Sequence, residues 1–219
     1  MIEIKRQSPI RFNAEPEKIE VMNHRPVVLA YKNEGPGPWI ADLSHKSRWD
    51  FQAGDMDDNP PEGHLIPSAP GTCRMEKETL ISRMNPTQAV FWDLGRDASS
   101  GRFKENAFTD VTEATAFLAL FGPGIFNIAE KLSALDFLNS GRTPPFLLQG
   151  PFSRVPCRLV LLQRETTGRN GSGSLLLTCA RGYGRDMADA ILDAGTEFGL
   201  RPAGENIFDH FLKETFEQD

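Results

Sequence analysis

The stretch Ala116–Leu132, AFLALFGPGIFNIAEKL, decides how the rest of the chain is read. Phe117, Leu118, Leu120 and Phe121 form a short apolar run, the pattern of a strand covered on both faces. Gly122-Pro123-Gly124 breaks that run. Ile125, Ile128, Ala129 and Leu132 then recur at i, i+3, i+4 and i+7, which is one apolar helical stripe. The stretch reads as strand, tight turn, helix.

Toward the C-terminus, Phe137–Phe152 reads as irregular, with Pro144-Pro145 inside it. Arg158–Arg164 and Ser174–Cys179 are strands joined by Thr167–Gly173, where Asn170-Gly171 is a hairpin turn signal. The turn Gly182–Gly184 opens a second helix, Arg185–Ala194, with Met187, Ala190, Ile191 and Ala194 as its stripe and Gly195 as its expected C-terminal cap. A last helix, Asn206–Phe216, sets Ile207, Phe208, Phe211 and Leu212 on one face.

Toward the N-terminus, Pro26–Tyr31 has strand composition, and Trp39–Gln52 reads as two short strands around the polar Ser44–Lys46. Ala53–Gly71 has four prolines and four acidic residues without apolar periodicity, so it is expected to be a loop that is mobile or ordered only by a partner. Thr79–Arg83 and Ala89–Asp93 flank Met84-Asn85-Pro86-Thr87 as a hairpin, Gly95–Asn106 is a second polar loop, and Met1–Glu20 reads as an extended arm. The pattern predicts an α+β fold, with ferredoxin-like strand–helix units over mostly antiparallel sheets. The expected division is an arm, 1–24, and a domain, 25–219, with subdomains 25–107 and 108–219.

A chain of 219 residues can bury one sizeable core. No apolar run approaches the ~20 residues of a membrane helix, and MIEIKRQSPIRF lacks the apolar core of a signal peptide, so a cytoplasmic protein is expected. A net charge of −6 provides no global attraction for nucleic acid. Cys73, Cys157 and Cys179 are widely spaced without C-x-x-C, which favours reduced thiols over a zinc site.

Several constellations have a bland reading that outweighs the chemical one. Gly168–Gly173 joins two strands and opens no helix, so it reads as a hairpin loop and not a phosphate cradle. His24, His45 and His64 with Asp55, Asp57 and Asp58 lack metal-site spacing, so no metal is expected. Cys179 with His210 and Asp209 is a nucleophile–base pair on paper only, since Cys179 ends an apolar strand. Trp39 and Trp49 flank polar loops and are interface candidates.

Four segments in one order resemble a known family: ADLSH (Ala41–His45) followed by Phe51–Asp55, then Leu118–Leu132, then Leu159–Leu177, then GLRPAG (Gly199–Gly204). They resemble the folate-binding fold of the glycine-cleavage T-protein (aminomethyltransferase), and more so the gamma subunit of heterotetrameric sarcosine oxidases and the small subunit of N-methylglutamate dehydrogenases. The likeness covers roughly residues 25–215, and the T-protein's C-terminal β domain has no counterpart in this sequence. It points to Ser44, His45, Arg169 and Arg201 as ligand-binding candidates and to Asp97 as the one carboxylate near the catalytic position.

The departures fall on the folate-binding residues. Where the family has Thr-Gly-Glu-x-Gly-apolar-Glu, this chain has Thr167–Gly173, so Gly173 replaces the pterin-binding carboxylate. Where the family has Gly-Ala-Arg-Asp, this chain has Asn206–Asp209, so Phe208 replaces the supporting arginine. The Asn-rich segment before the catalytic aspartate is here Asp93–Asp97. Glycine offers no acceptor to pterin N–H groups. The resemblance therefore implies a small non-catalytic subunit of a heteromeric N-methyl amino acid oxidoreductase, with larger subunits as partners, flavin on those partners and no cofactor held by this chain alone. The alternatives are a folate-dependent one-carbon transferase or folate-binding protein, with tetrahydrofolate as ligand, and a self-associating protein for some other small molecule.

Overall fold

The computed structural model describes residues 6–58, 60–96, 103, 106–164 and 172–216. In chain order the elements are β1 (Pro16–Met22), β2 (Arg25–Tyr31), β3 (Trp39–Asp42), β4 (Arg48–Gln52), β5 (Cys73–Glu76), β6 (Thr79–Asn85), β7 (Gln88–Asp93), β8 (Phe108–Asp110), β9 (Thr115–Gly122), α1 (Ile125–Leu132), β10 (Phe146–Phe152), β11 (Val155–Gln163), β12 (Gly173–Ala180), α2 (Gly184–Gly195), β13 (Arg201–Ala203) and α3 (Glu205–Phe216). It is a mixed α+β fold with mainly antiparallel sheets and few helices.

The central strand–turn–helix forms as the sequence dictates. Strand β9 is buried on both faces and sits inside a six-stranded sheet of order β10-β11-β12-β9-β3-β13. Gly122 and Gly124 both take positive φ, 110° and 75°, which explains the Gly-Pro-Gly turn. Through α1 the chain passes from β9 across β12 and β11 to the edge strand β10. Through α2 it passes from β12 across β9 and β3 to β13, which runs parallel to β12 and makes this second crossover a split β–α–β unit.

One face of the sheet, with Leu118, Leu120, Leu159 and Leu177, packs on the stripes of α1 and α2. The other, with Phe117, Ala119, Phe121 and Leu176, packs on α3 and on a five-stranded sheet of order β5-β6-β7-β4-β8. That second sheet buries Trp49, Phe51, Ile81 and Phe91 on its far side against Phe103 and Met56.

Four local expectations need correction. Phe146–Phe152 is not irregular: it is edge strand β10, where Pro151 opposes Pro156 of β11 and the missing N–H costs little because an edge has one free side. Gly195 does not terminate α2 in a left-handed cap; a 3-10 turn continues to Gly199, which takes φ 73°. The arm holds β1 and seats Ile10 and Phe12 in the core. The acidic Ala53–Gly71 loop is held by this chain itself, through buried Met56, an Asp57–Arg83 ion pair and a His64–Glu76 contact at 2.8 Å.

The Asn170-Gly171 turn lies outside the described residues. Among the described residues no helix is long and apolar enough to cross a membrane.

Candidate functional site

The corner between β3 and β4, Leu43–Ser47, is buried although it is polar. Asp42 Oδ1 accepts the Ser44 N–H at 2.9 Å, and the Lys46 N–H donates to the Leu43 carbonyl at 2.9 Å, which closes the turn. Ser44 Oγ accepts the Phe117 N–H at 3.1 Å and so ties the corner to β9.

Beneath the corner, Arg48 is fully buried and donates to the carbonyls of Lys46 (2.6 Å), Thr112 (2.6 Å) and Thr115 (3.1 Å) and to Thr115 Oγ1 (2.9 Å). Burial, with Arg25 adding to it, pulls the Arg48 guanidinium down to about 9, so it remains cationic at neutral pH. Arg25 donates to the Ser44 carbonyl and pairs with Glu113, which also takes Arg181 at 3.1 Å. Desolvation lowers the Arg25 pKa and Glu113 opposes the shift.

Helix α3 brings the acids. Strand β13 runs parallel to β3, with Ala203 opposite Ala41, and this register delivers Gly204 and Glu205 to the corner. Gly204 has to be glycine, because a Cβ there would lie 2.4 Å from the Leu29 carbonyl carbon and oxygen. Glu205 Oε2 then lies 3.0 Å from His45 Nε2, and its Oε1 pairs with Lys46 Nζ. One turn on, Asp209 lies 3.7 Å from Lys46 Nζ, which also donates to the Gly95 carbonyl at 3.0 Å and sits 5.9 Å from the Phe208 ring centroid.

The two acids have parted company. Burial pushes the Glu205 carboxyl up, but His45 and Lys46 outweigh it and hold the group at about 2. Burial, then repulsion from Glu205, raises Asp209 to about 6. Diverging carboxylates can mark an acid–base pair, yet ion-pair networks produce the same shifts. Here the Glu205 carboxylate and the Lys46 ammonium take up each other's charge, with His45 Nε2 beside the same carboxylate. His45 borders a cleft of about 800 Å³ against the arm and β2 and a smaller one of about 190 Å³ beside Arg25 and Glu113, and Asp209 borders another of about 270 Å³ with Leu94, Arg96 and Leu212.

The structure thus joins two sequence motifs, ADLSH and GLRPAG, at one buried cluster. Ser44 is there as a scaffold and His45 as a neighbour of the Glu205 carboxylate. Arg201 is exposed on β13 and donates to the Asn33 carbonyl at 3.3 Å, away from the cluster. Asp97 and Arg169 lie outside the described residues.

Trp39 is partly buried with its ring 5.4 Å from Phe121, while Trp49, at 2% exposure, packs edge-on to Phe103 and offers no surface. Cys179 faces α1 and α2, across the sheet from α3, and His210 pairs at the surface with Glu214 at 3.2 Å, so the nucleophile–base pair does not form. No group of metal-ligating side chains exists among the described residues. Sequence reading missed Lys46, Arg48, Glu205 and Arg25; the one available signal was basic residues set directly beside ADLSH.

The sequence matches no protein-family model and no curated protein. The fold, however, is similar to a chain of the heterotetrameric sarcosine oxidase from Corynebacterium sp. U-96, solved in complex with pyrrole 2-carboxylate. The TM-score is 0.52 at 13% identity, over 73% of this chain and 84% of that one. The likeness is one of fold.

At the two positions where the sequence departs from the folate-binding pattern of the resembled family, the structure is closely packed. A Cβ at Gly173 would lie 2.5 Å from the Phe126 ring, so no side chain, let alone a carboxylate, has room there. Phe208 is fully buried, with its ring 5.8 Å from Phe121.

Proposed function

We propose that this chain is a small, non-catalytic subunit of a heteromeric oxidoreductase acting on N-methyl amino acids, and that its larger partners carry the flavin. The supporting observation is the fold likeness to a chain of a heterotetrameric sarcosine oxidase, a chain that is itself nearly covered by the match. The His45–Lys46–Glu205–Asp209 cluster agrees with a structural part, because its charges are paired internally and fix α3 against the β3–β4 corner. The close packing of Gly173 against Phe126 favours this reading over a one-carbon transferase.

The reading is tested by identifying the reading frames beside this one and co-expressing the tagged chain with the large subunits they encode. A stoichiometric, yellow complex that oxidises an N-methyl amino acid is expected. A chain that elutes alone, and that binds folinate with low-micromolar affinity in calorimetry (about −8 kcal/mol), would instead make it a folate protein.

A further inference from the structure

Cys157 and Cys179 stand directly opposite each other on β11 and β12. Both thiols are free and lie in the core under α1 and α2, with 6% and 3% exposure. Opposed residues of an antiparallel pair hold their Cα atoms about 4.5 or 5.5 Å apart, inside the roughly 4.4–6.8 Å that a disulfide spans. Their Cβ atoms sit about 4.5–5.5 Å apart, so closing the bond draws them together by up to about 1 Å. Both residues are near strand ends, Cys157 two residues after Val155 and Cys179 one before Ala180, where such a shift disturbs little pairing.

The two sulfurs are also chemically unequal. The Cys157 thiol donates to the Val155 carbonyl oxygen at 3.2 Å, and it faces Cys179 across the strand pair. The interaction with Cys179, followed by burial, raises the Cys157 pKa, and the interaction with Cys157 lowers that of Cys179 against the opposing effect of burial. Cys73 lies on the other sheet with its sulfur 3.1 Å from Ser82 Oγ, and burial pushes its thiol up to about 12.

We propose that Cys157 and Cys179 form a peroxide-reactive dithiol that closes reversibly to a cross-strand disulfide. Their burial selects a small oxidant such as hydrogen peroxide. The Cys179 thiolate attacks one peroxide oxygen and breaks the O–O bond, giving a sulfenic acid and hydroxide, which leaves as water with the proton lost from Cys179. The Cys157 sulfur then attacks the Cys179 sulfur and displaces the sulfenic hydroxide, which departs as a second water with the Cys157 proton. Two thiols lose two electrons in all, and one peroxide becomes two waters.

The test uses the full chain, reduced and then treated with hydrogen peroxide. Two of its three thiols are expected to become unalkylatable, with an intact mass about 2 Da lower, a peptide link between Cys157 and Cys179, and recovery of both thiols with dithiothreitol. Cys73→Ala, remote from the pair, is expected to give the same link. Cys157→Ala removes the resolving thiol and is expected to leave Cys179 as a sulfenic acid that dimedone traps. The proposal is overturned by a chain that keeps all three thiols under peroxide that consumes free cysteine. It is equally overturned by thiol loss with added oxygen and no Cys157–Cys179 link.

Discussion

Glu205 holds a negative charge inside the protein only because His45 and Lys46 surround it. Removing that charge strands the buried Lys46 ammonium, and breaking a buried pair from one side costs about 3–5 kcal/mol. Glu205→Gln is therefore expected to lower the free energy of urea unfolding by that much, and an unchanged midpoint would mean the cluster does not hold α3. Because the folded pKa of Glu205 is depressed to about 2, its contribution is present above the ordinary carboxylate range and is lost as pH falls through about 4.5 toward 2. Asp209 has the opposite sign. Its folded pKa is raised to about 6, so its contribution is present below about 4 and is lost as pH rises through 6. Asp209→Asn should stabilise the protein at pH 8 by about 1 kcal/mol, the lost Lys46 contact offsetting part of the gain, and should have no such effect at pH 4. Melting curves at the two pH values decide it. Gly173→Glu, which restores the carboxylate of folate proteins, drives a side chain into the Phe126 ring and is expected to cost about 3 kcal/mol without conferring folinate binding.

Helices α1, α2 and α3 were legible because each carries an apolar stripe at helical spacing, and the structure buries Ile125, Ile128 and Ala129, Met187 and Ile191, and Phe208 accordingly. Strand β9 was legible because burial on both faces leaves no polar alternation to confuse it. Strand β10 was hidden by Gly150 and Pro151, residues a central strand would exclude and an edge strand tolerates. Strands β5 and β13 were hidden by length, since four and three residues leave too short a pattern to recognise. Ile128 sits fully buried at the centre of the α1 stripe. Ile128→Asp would put an unpaired charge under the sheet, enough to unfold a marginal domain. A soluble Ile128→Asp protein with a cooperative melt would show that the helix packs elsewhere.

On the scale of the molecule, the six-stranded sheet, the five-stranded sheet and α3 come together where α3 meets the β3–β4 corner. The two halves of that junction were visible in the sequence as ADLSH and GLRPAG, but their meeting was not, because it depends on β13 pairing with β3 across roughly 160 residues of intervening chain. Lys46 and Arg48 were passed over for the same reason: a cation in a polar turn looks solvated until tertiary contacts bury it. The Ala53–Gly71 loop misled in the other direction. Its composition suggests freedom, yet Met56, Asp57 and His64 anchor it, so limited proteolysis of the isolated chain is expected to spare it. The central claim concerns assembly, and the most direct measurement is omission. The flavin-carrying subunits are expressed with and without this chain and compared by native mass and by N-methyl amino acid oxidation. The account predicts that omission leaves flavin on the large subunits but yields smaller species with oxidation lost or much reduced. Full assembly and undiminished oxidation without the chain would contradict it.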